Sequence, residues 1–151
     1  MARIVSIVYT PTGVERKPTN NYARVPLERA MLMAKHGIEG DVKGTSGSRQ
    51  LNIMRAETLQ DLAAEGLHTK PGQLGEQIVI EGVERNLFVE GTRFQIGDAI
   101  IEVGIPRTGC DRFEHIQSTS KKSVQGRLGV LARVITGGEI AVGDAVTPVS
   151  A

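Results

Sequence analysis

The sequence predicts a mainly β fold, a barrel of short strands with a few short helices (α+β by strict counting). Three observations carry that prediction. Eighteen glycines spread along all 151 residues, mostly between short β-branched runs, as in β folds with many turns. Those runs have the length and composition of strands rather than of helices. Gly-Asp recurs between apolar residues, in Ile96-Gly97-Asp98-Ala99-Ile100 and in Val142-Gly143-Asp144-Ala145-Val146. That echo suits tight turns in paired hairpins that close a barrel.

Taken in order, the first strand is Arg3–Tyr9. The N-terminus carries a charge but no long apolar region or cleavage site, so it reads as a strand and not as a signal peptide. Pro26–His36 supports two readings. Its residues favour helix, with Pro26 near the start and Gly37 beyond the end, while its place before a Gly-Asp turn suits a strand. Gly40–Ser48 reads as a polar loop. A helix is expected over Met54–Leu67, where Leu59, Leu62 and Ala63 recur at helical spacing and Gly66 offers a C-cap. The loop Lys70–Glu76 leads into a strand at Gln77–Glu81. Further strands follow at Arg93–Ile96, Ala99–Val103, Val130–Ile135, Glu139–Val142 and Ala145–Val149. Between them Gly104–Lys122 reads as a loop, with Pro106 ending the strand before it. No linker is long enough to divide the chain, so a single domain over residues 1–151 is expected.

Composition excludes several function classes. Eighteen Lys and Arg against 17 Asp and Glu give a formal charge of +1, which leaves no broad field for nucleic acid. Aromatics at 3% are too few for platforms that stack single-stranded bases. No run approaches the roughly 20 apolar residues that span a bilayer. One cysteine makes neither an internal disulfide nor a thiolate zinc cage, so a cytoplasmic location is expected.

That cysteine lies in Ile105-Pro106-Arg107-Thr108-Gly109-Cys110-Asp111-Arg112-Phe113. Arg107 and Arg112 flank it, His115 follows, and Lys121-Lys122 are not far along. Positive neighbours favour the thiolate, which is both the nucleophile and the soft metal-ligating form; Asp111 works the other way. On the residues alone two readings stand, a small buried hydrophobe without chemistry and a functional thiolate. Arg49 and Asn52, beside the Gly/Ser loop, carry groups that suit an anion, or they belong to a solvated loop. Glu76 is either a general base or a carboxylate that ties down its turn. Glu57 and His68 read as partners of the helix dipole, and His36 as an exposed or turn-capping residue. The three histidines lie far apart, without zinc-ligand spacing.

The order of the motifs adds to this. Gly37-Ile38-Glu39-Gly40-Asp41, Arg49-Gln50-Leu51-Asn52, Glu57, Pro71-Gly72-Gln73-Leu74-Gly75-Glu76-Gln77, Gly97-Asp98, Glu102, Pro106-Arg107-Thr108-Gly109-Cys110 and Gly143-Asp144 follow one another. This series resembles the MOSC domain, the C-terminal domain of molybdenum-cofactor sulfurases, which also occurs as small free-standing bacterial proteins. The resemblance runs from about Val5 to Val149.

It implies a β-barrel and a functional cysteine at Cys110, carrying sulfur as a persulfide or ligating molybdenum in relatives that reduce N-hydroxylated compounds. The implied cofactor is molybdopterin. Arg49 and Arg107 are the cations that match its phosphate, Arg112 joins them beside the thiolate, and Asp41, Asn52, Gly75 and Glu76 shape the pocket. Two positions depart from the family: Gly109 stands where Pro is common before the cysteine, and Gln77 where Asn commonly follows Gly-Glu. The chain shows no pyridoxal-phosphate domain and no iron–sulfur or flavin module. A carrier or binding module is therefore expected, served by a separate cysteine desulfurase or sulfur acceptor. A molybdenum reductase fed by separate electron-transfer proteins is one alternative. The other is a non-catalytic barrel that binds an anion or a partner. Neither nucleic acid nor membrane is expected as a partner.

Overall fold

The computed structural model describes residues 1–13, 24–108 and 111–149, without the side chains of Asp111, Arg112, His115 and Lys121. Strands dominate. They are β1 (Arg3–Tyr9), β2 (Val25–Leu27), β3 (Arg29–Met33), β4 (Gly37–Ile38), β5 (Leu51–Arg55), β6 (Ile78–Glu81), β7 (Arg93–Ile96), β8 (Ala99–Pro106), β9 (Val130–Thr136), β10 (Gly138–Ala141) and β11 (Val146–Pro148). Two helices, α1 (Ala56–Ala64) and α2 (Asp111–Gln117), and 3-10 turns at Arg85–Leu87 and Lys121–Val124 complete the fold. The mainly β class is as expected. No helix among the described residues is long and apolar enough to cross a membrane.

The strands form an eight-stranded sheet, in the order β11-β7-β8-β9-β5-β6-β1-β2, and a three-stranded sheet, β10-β3-β4. The expected barrel is not closed. β1 divides its outer edge between two neighbours, with Ile7–Tyr9 paired to β2 and Arg3 making only an isolated bridge to Ala145. Hydrogen bonds from Ile4 N–H to the Asp144 carbonyl (2.9 Å) and from Val146 N–H to the Ala2 carbonyl (3.0 Å) flank that bridge. The contact is too short to extend the ladder round to β11.

The two Gly-Asp turns differ in kind. Gly97-Asp98 is a hairpin turn, with Ile96 opposite Ala99 and Gly97 in the left-handed region at φ +55°. Gly143-Asp144 is also tight, the Asp144 carboxylate accepting the Ala141 N–H at 2.8 Å, but it joins strands of different sheets. β10 pairs with β3 and β11 with β7, so the expected second hairpin is instead a crossover.

Pro26–His36 adopts the strand alternative, as β2 and β3. Ala30 and Leu32 are buried while Arg29, Met31 and Met33 are exposed, a period of two. Pro26 lies on an edge strand, where its missing N–H costs no ladder bond. The predicted helix is shorter than Met54–Leu67, because Met54 and Arg55 pair with Val79 and Ile80 in the sheet's parallel β5–β6 ladder. Its C-terminus is capped as expected. Gly66, at φ +94°, donates to the Ala63 carbonyl at 3.0 Å, and Leu67 N–H reaches the Leu62 carbonyl at 3.1 Å; these are the two bonds of a Schellman motif. Gly104–Lys122 is not one loop: β8 continues to Pro106, and α2 follows because Phe113 and Ile116, one helical turn apart, are both buried.

The main core is built by the inward residues of both sheets, among them Ile7, Ile53, Ile78, Phe94 and Ile140. A second, smaller core of Met54, Leu62, Leu74, Phe113, Val124 and Leu128 lies under the two helices. It packs α2 against the turn Lys70–Glu76.

Candidate functional site

β5 and β6 run parallel, and β1 is antiparallel to β6. The first residues of β5 and β6 therefore meet the last residues of β1 at one end of the sheet. The loop before β6 folds onto its own carboxylate. Glu76, fully buried, accepts the Gly72 N–H at 2.8 Å and the Leu74 N–H at 3.2 Å. Gly72 has φ +85°, and a Cβ there would lie 2.8 Å from the Arg24 Cβ, so this turn requires glycine. Burial raises the Glu76 pKa above the ordinary carboxylate range, against the opposing pull of the N–H groups of Gly72, Glu76 and Leu74 and the charge of Arg107.

Arg107 follows β8, and its own N–H is held by the Gly129 carbonyl at 2.9 Å. The guanidinium, 9% exposed, donates to the Leu74 carbonyl. It thus clamps the Glu76 turn and balances part of its buried charge. Of the two readings of Glu76, the geometry is that of the carboxylate that ties down its turn, since both oxygens are occupied by backbone donors.

Beside this turn lies a second network. Asp41, 2% exposed, accepts the N–H groups of Thr10 (3.3 Å) and Lys43 (3.0 Å) on Oδ1 and the Gln77 side-chain amide on Oδ2. Gln77 also accepts the Asn52 N–H on Oε1 at 2.8 Å, and its own N–H returns to the Asn52 carbonyl at 2.9 Å. The Asn52 amide nitrogen reaches the Gly75 carbonyl at 3.4 Å. That carbonyl also accepts from Arg24, whose other terminal nitrogen donates to Thr10 Oγ1 at 2.8 Å. The Asn52 Oδ1 atom is buried and accepts no hydrogen bond from the described residues. Turning the amide over would set two oxygens against each other at Gly75, so the orphaned acceptor is a property of the site.

The structure therefore brings Asp41, Asn52, Gly75, Glu76 and Arg107 into one connected set. Arg49 is exposed in the turn that leads into β5. Cys110, between Arg107 and α2, lies outside the described residues, and so does the side chain of Arg112, in the first turn of α2. Thr10 and Arg24 are not singled out by the sequence, and Gln77 enters there only as a departure from the family's Gly-Glu-Asn. A further signal for Gln77 is a polar residue at the start of an otherwise apolar strand. Thr10 and Arg24 carry no such signal, since they join the site through the fold.

The helix-dipole candidates do more specific work. Glu57 accepts the Gly82 N–H at 2.8 Å and so ties the start of α1 to the end of β6. His68 lies past the helix end at Ala64, and Gln117 of α2 clasps its backbone, accepting at 2.7 Å and donating at 2.8 Å.

Comparison with known proteins agrees with this architecture. The family model described as "MOSC domain" matches residues 35–147. No curated protein matches the sequence. The crystal structure of YiiM from Escherichia coli is similar at a TM-score of 0.73 and 24% identity, over 99% of this chain and 70% of that one. YiiM from Geobacillus stearothermophilus is similar at 0.76 and 20% identity, over 99% and 76%. YuaD from Bacillus subtilis is similar at 0.75 and 19% identity, over 97% and 94%. At these identities the three structures establish a shared fold, and the match over residues 35–147 establishes the rest: this chain belongs to the MOSC domain family.

Proposed function

We propose that this MOSC-domain protein binds a molybdenum cofactor or carries sulfur as a persulfide, with Cys110 as the sulfur group in either role. One observation carries the reading. Asp41, Asn52, Gly75-Glu76 and Arg107, from four separate segments of the chain, form one hydrogen-bonded set, and from Arg107 the chain runs on to Cys110. The residues fit a pterin. Asn52 Oδ1 is a buried acceptor without a donor among the described residues, and a pterin ring carries N–H donors. Arg49 and Arg107 supply positive charge for its phosphate. When bound, the cofactor supplies a molybdenum centre that exchanges oxygen atoms and electrons with substrate.

The chain's own part is to hold the ring edge through Asn52, to keep the Glu76 turn rigid through Arg107, and to present a soft thiolate. In the carrier role the Cys110 thiolate attacks the terminal sulfur of a persulfide on a separate donor protein such as a cysteine desulfurase. The donor's S–S bond breaks, a new S–S bond forms on Cys110, and the donor leaves as a thiolate, with no net oxidation.

The test of the cofactor site is molybdopterin binding by the purified chain, followed by pterin fluorescence. Asn52→Leu, with its fold checked by circular dichroism, should bind about tenfold more weakly, the loss of one buried hydrogen bond. Equal binding by the variant and the parent chain would remove the polar cluster from the function.

A further inference from the structure

We infer that a second site, separate from the polar cluster and independent of the Cys110 chemistry, binds a small molecule that carries an oxyanion on an apolar body. It is a cavity of about 160 Å³ with Arg55, Arg85 and Arg127 on its polar side and Phe88, Pro106 and Val130 on its apolar side. None of Asp41, Asn52, Gly75, Glu76 or Arg107 lines it.

The three guanidinium groups are not equally engaged. Arg127 is occupied: it meets both carboxylate oxygens of Glu65 and donates to the Ser123 carbonyl at 2.7 Å. Asp61 adds to the negative charge around it. Arg55 is different. Its side chain is 15% exposed, and Nε donates to the Val83 carbonyl at 2.7 Å. Its nearest carboxylate oxygen, Glu57 Oε1, lies 3.8 Å away, beyond hydrogen-bond reach. That oxygen is itself buried and has no donor among the described residues. The terminal N–H groups of Arg55 therefore make no hydrogen bond with the described residues, and Arg55 is part of the cavity wall. Arg85 is exposed, and its guanidinium makes neither a hydrogen bond nor an ion pair with the described residues.

Glu57, Glu65 and Asp61 act on Arg55 and Arg127 without lining the cavity, so among the described residues its wall carries arginines and no carboxylate. A mostly buried guanidinium with unmatched donors is stabilised by an acceptor that brings its own charge. Size narrows the ligand. An apolar cavity of roughly 150 Å³ holds benzene, whereas pockets for drug-sized ligands begin near 300 Å³. One phosphate or carboxylate group with one ring or short alkyl group fits here, and a peptide chain does not. The cavity also adjoins the path to the cysteine: Gly129, in its wall, holds the Arg107 N–H at 2.9 Å.

The test is titration of the full ¹⁵N-labelled chain with inorganic phosphate and with phenyl phosphate at constant ionic strength. Saturable shifts are expected at the amides of Arg85, Gly126 and Gly129, with phenyl phosphate binding more tightly through the apolar side. Arg85→Gln should weaken both about tenfold, the loss of one charge-assisted contact. Arg29→Gln, which removes an exposed cation of the other sheet, should leave both unchanged. Shifts that do not saturate, or equal weakening by the two substitutions, would overturn the inference. Binding of an acidic peptide with no response to either phosphate would overturn it as well, in favour of a protein partner.

Discussion

Gln77→Leu is the perturbation that reads the polar cluster most directly. The side chain is 2% exposed and does two jobs: Nε2 donates to the Asp41 carboxylate and Oε1 accepts the Asn52 N–H at 2.8 Å. Leucine has a similar volume, so packing changes little and the lost hydrogen bonds dominate. The bond to a carboxylate is worth about 1.5–3 kcal/mol, and a buried N–H left without an acceptor costs about 1–3 kcal/mol. Part is offset because an amide no longer has to be desolvated, which leaves an expected loss of about 3–4 kcal/mol. Urea unfolding measures it, with an unchanged denaturant slope showing that the same surface is exposed on unfolding. Gln95→Leu, at an exposed position of β7, is the control and should stay within about 0.5 kcal/mol. A loss below about 1 kcal/mol for Gln77→Leu would show that water serves Asp41 and Asn52 equally well, and that the cluster does not depend on the Gln77 amide.

Three further outcomes follow from the same structure. Gly129→Ala would place a Cβ 2.2 Å from the Ile53 carbonyl oxygen at φ +78°, whereas Gly126→Ala, at φ +80°, meets nothing within 4 Å. Gly126→Ala should therefore cost about 1–2 kcal/mol of backbone strain and Gly129→Ala clearly more, and thermal melts that rank them the other way would contradict the packing of β5 against that turn. The raised pKa of Glu76 means that the folded chain holds its proton more tightly than the unfolded chain. Stability relative to Glu76→Gln is thus greatest on the acid side of 4.5, the ordinary value, and is lost as pH rises through the folded-state pKa; a difference that grows toward neutral pH in chemical denaturation would reverse the sign. Glu102, held low by its hydrogen bonds to Arg93 and Arg133, contributes above the ordinary carboxylate range and loses that contribution as pH falls through its folded-state value. Both arginines are exposed, so Glu102→Gln should cost less than about 1 kcal/mol in low salt and still less in high salt, which melts at two ionic strengths would check.

Much of the strand pattern was legible in the sequence because period-two alternation and Gly-Asp turns are local signals. Arg3–Tyr9 and Arg93–Ile96 have the predicted bounds. β5 was missed for a physical reason. Leu51, Ile53 and Met54 form a short apolar run that merges into the helical spacing of α1, and only pairing with β6 and β9 separates strand from helix. α2 was hidden in the same way, since Phe113 and Ile116 give a single helical turn of signal and depend on the second core to hold it. The open sheet was not legible either, because closure depends on where β2 meets β1 and not on any one strand's composition. At the site, the ordered motifs pointed to Asp41, Asn52, Gly75, Glu76 and Arg107 together. They could not show that Glu76 is spent on backbone donors, that the buried Asn52 Oδ1 has no donor among the described residues, or that Thr10 and Arg24 close the set.

The central claim is that Cys110 is the working sulfur of this MOSC-domain protein. Because the chain has one cysteine, a single measurement isolates it: molybdenum and persulfide sulfur per chain, by elemental analysis and intact mass. The protein would be made in a cofactor-producing host and incubated with a cysteine desulfurase and its substrate, alongside Cys110→Ser. The account predicts that the parent chain takes up molybdenum or one added sulfur, and that Cys110→Ser, folded to the same extent, takes up neither. Equal loading of the two proteins, or none in either, would contradict it.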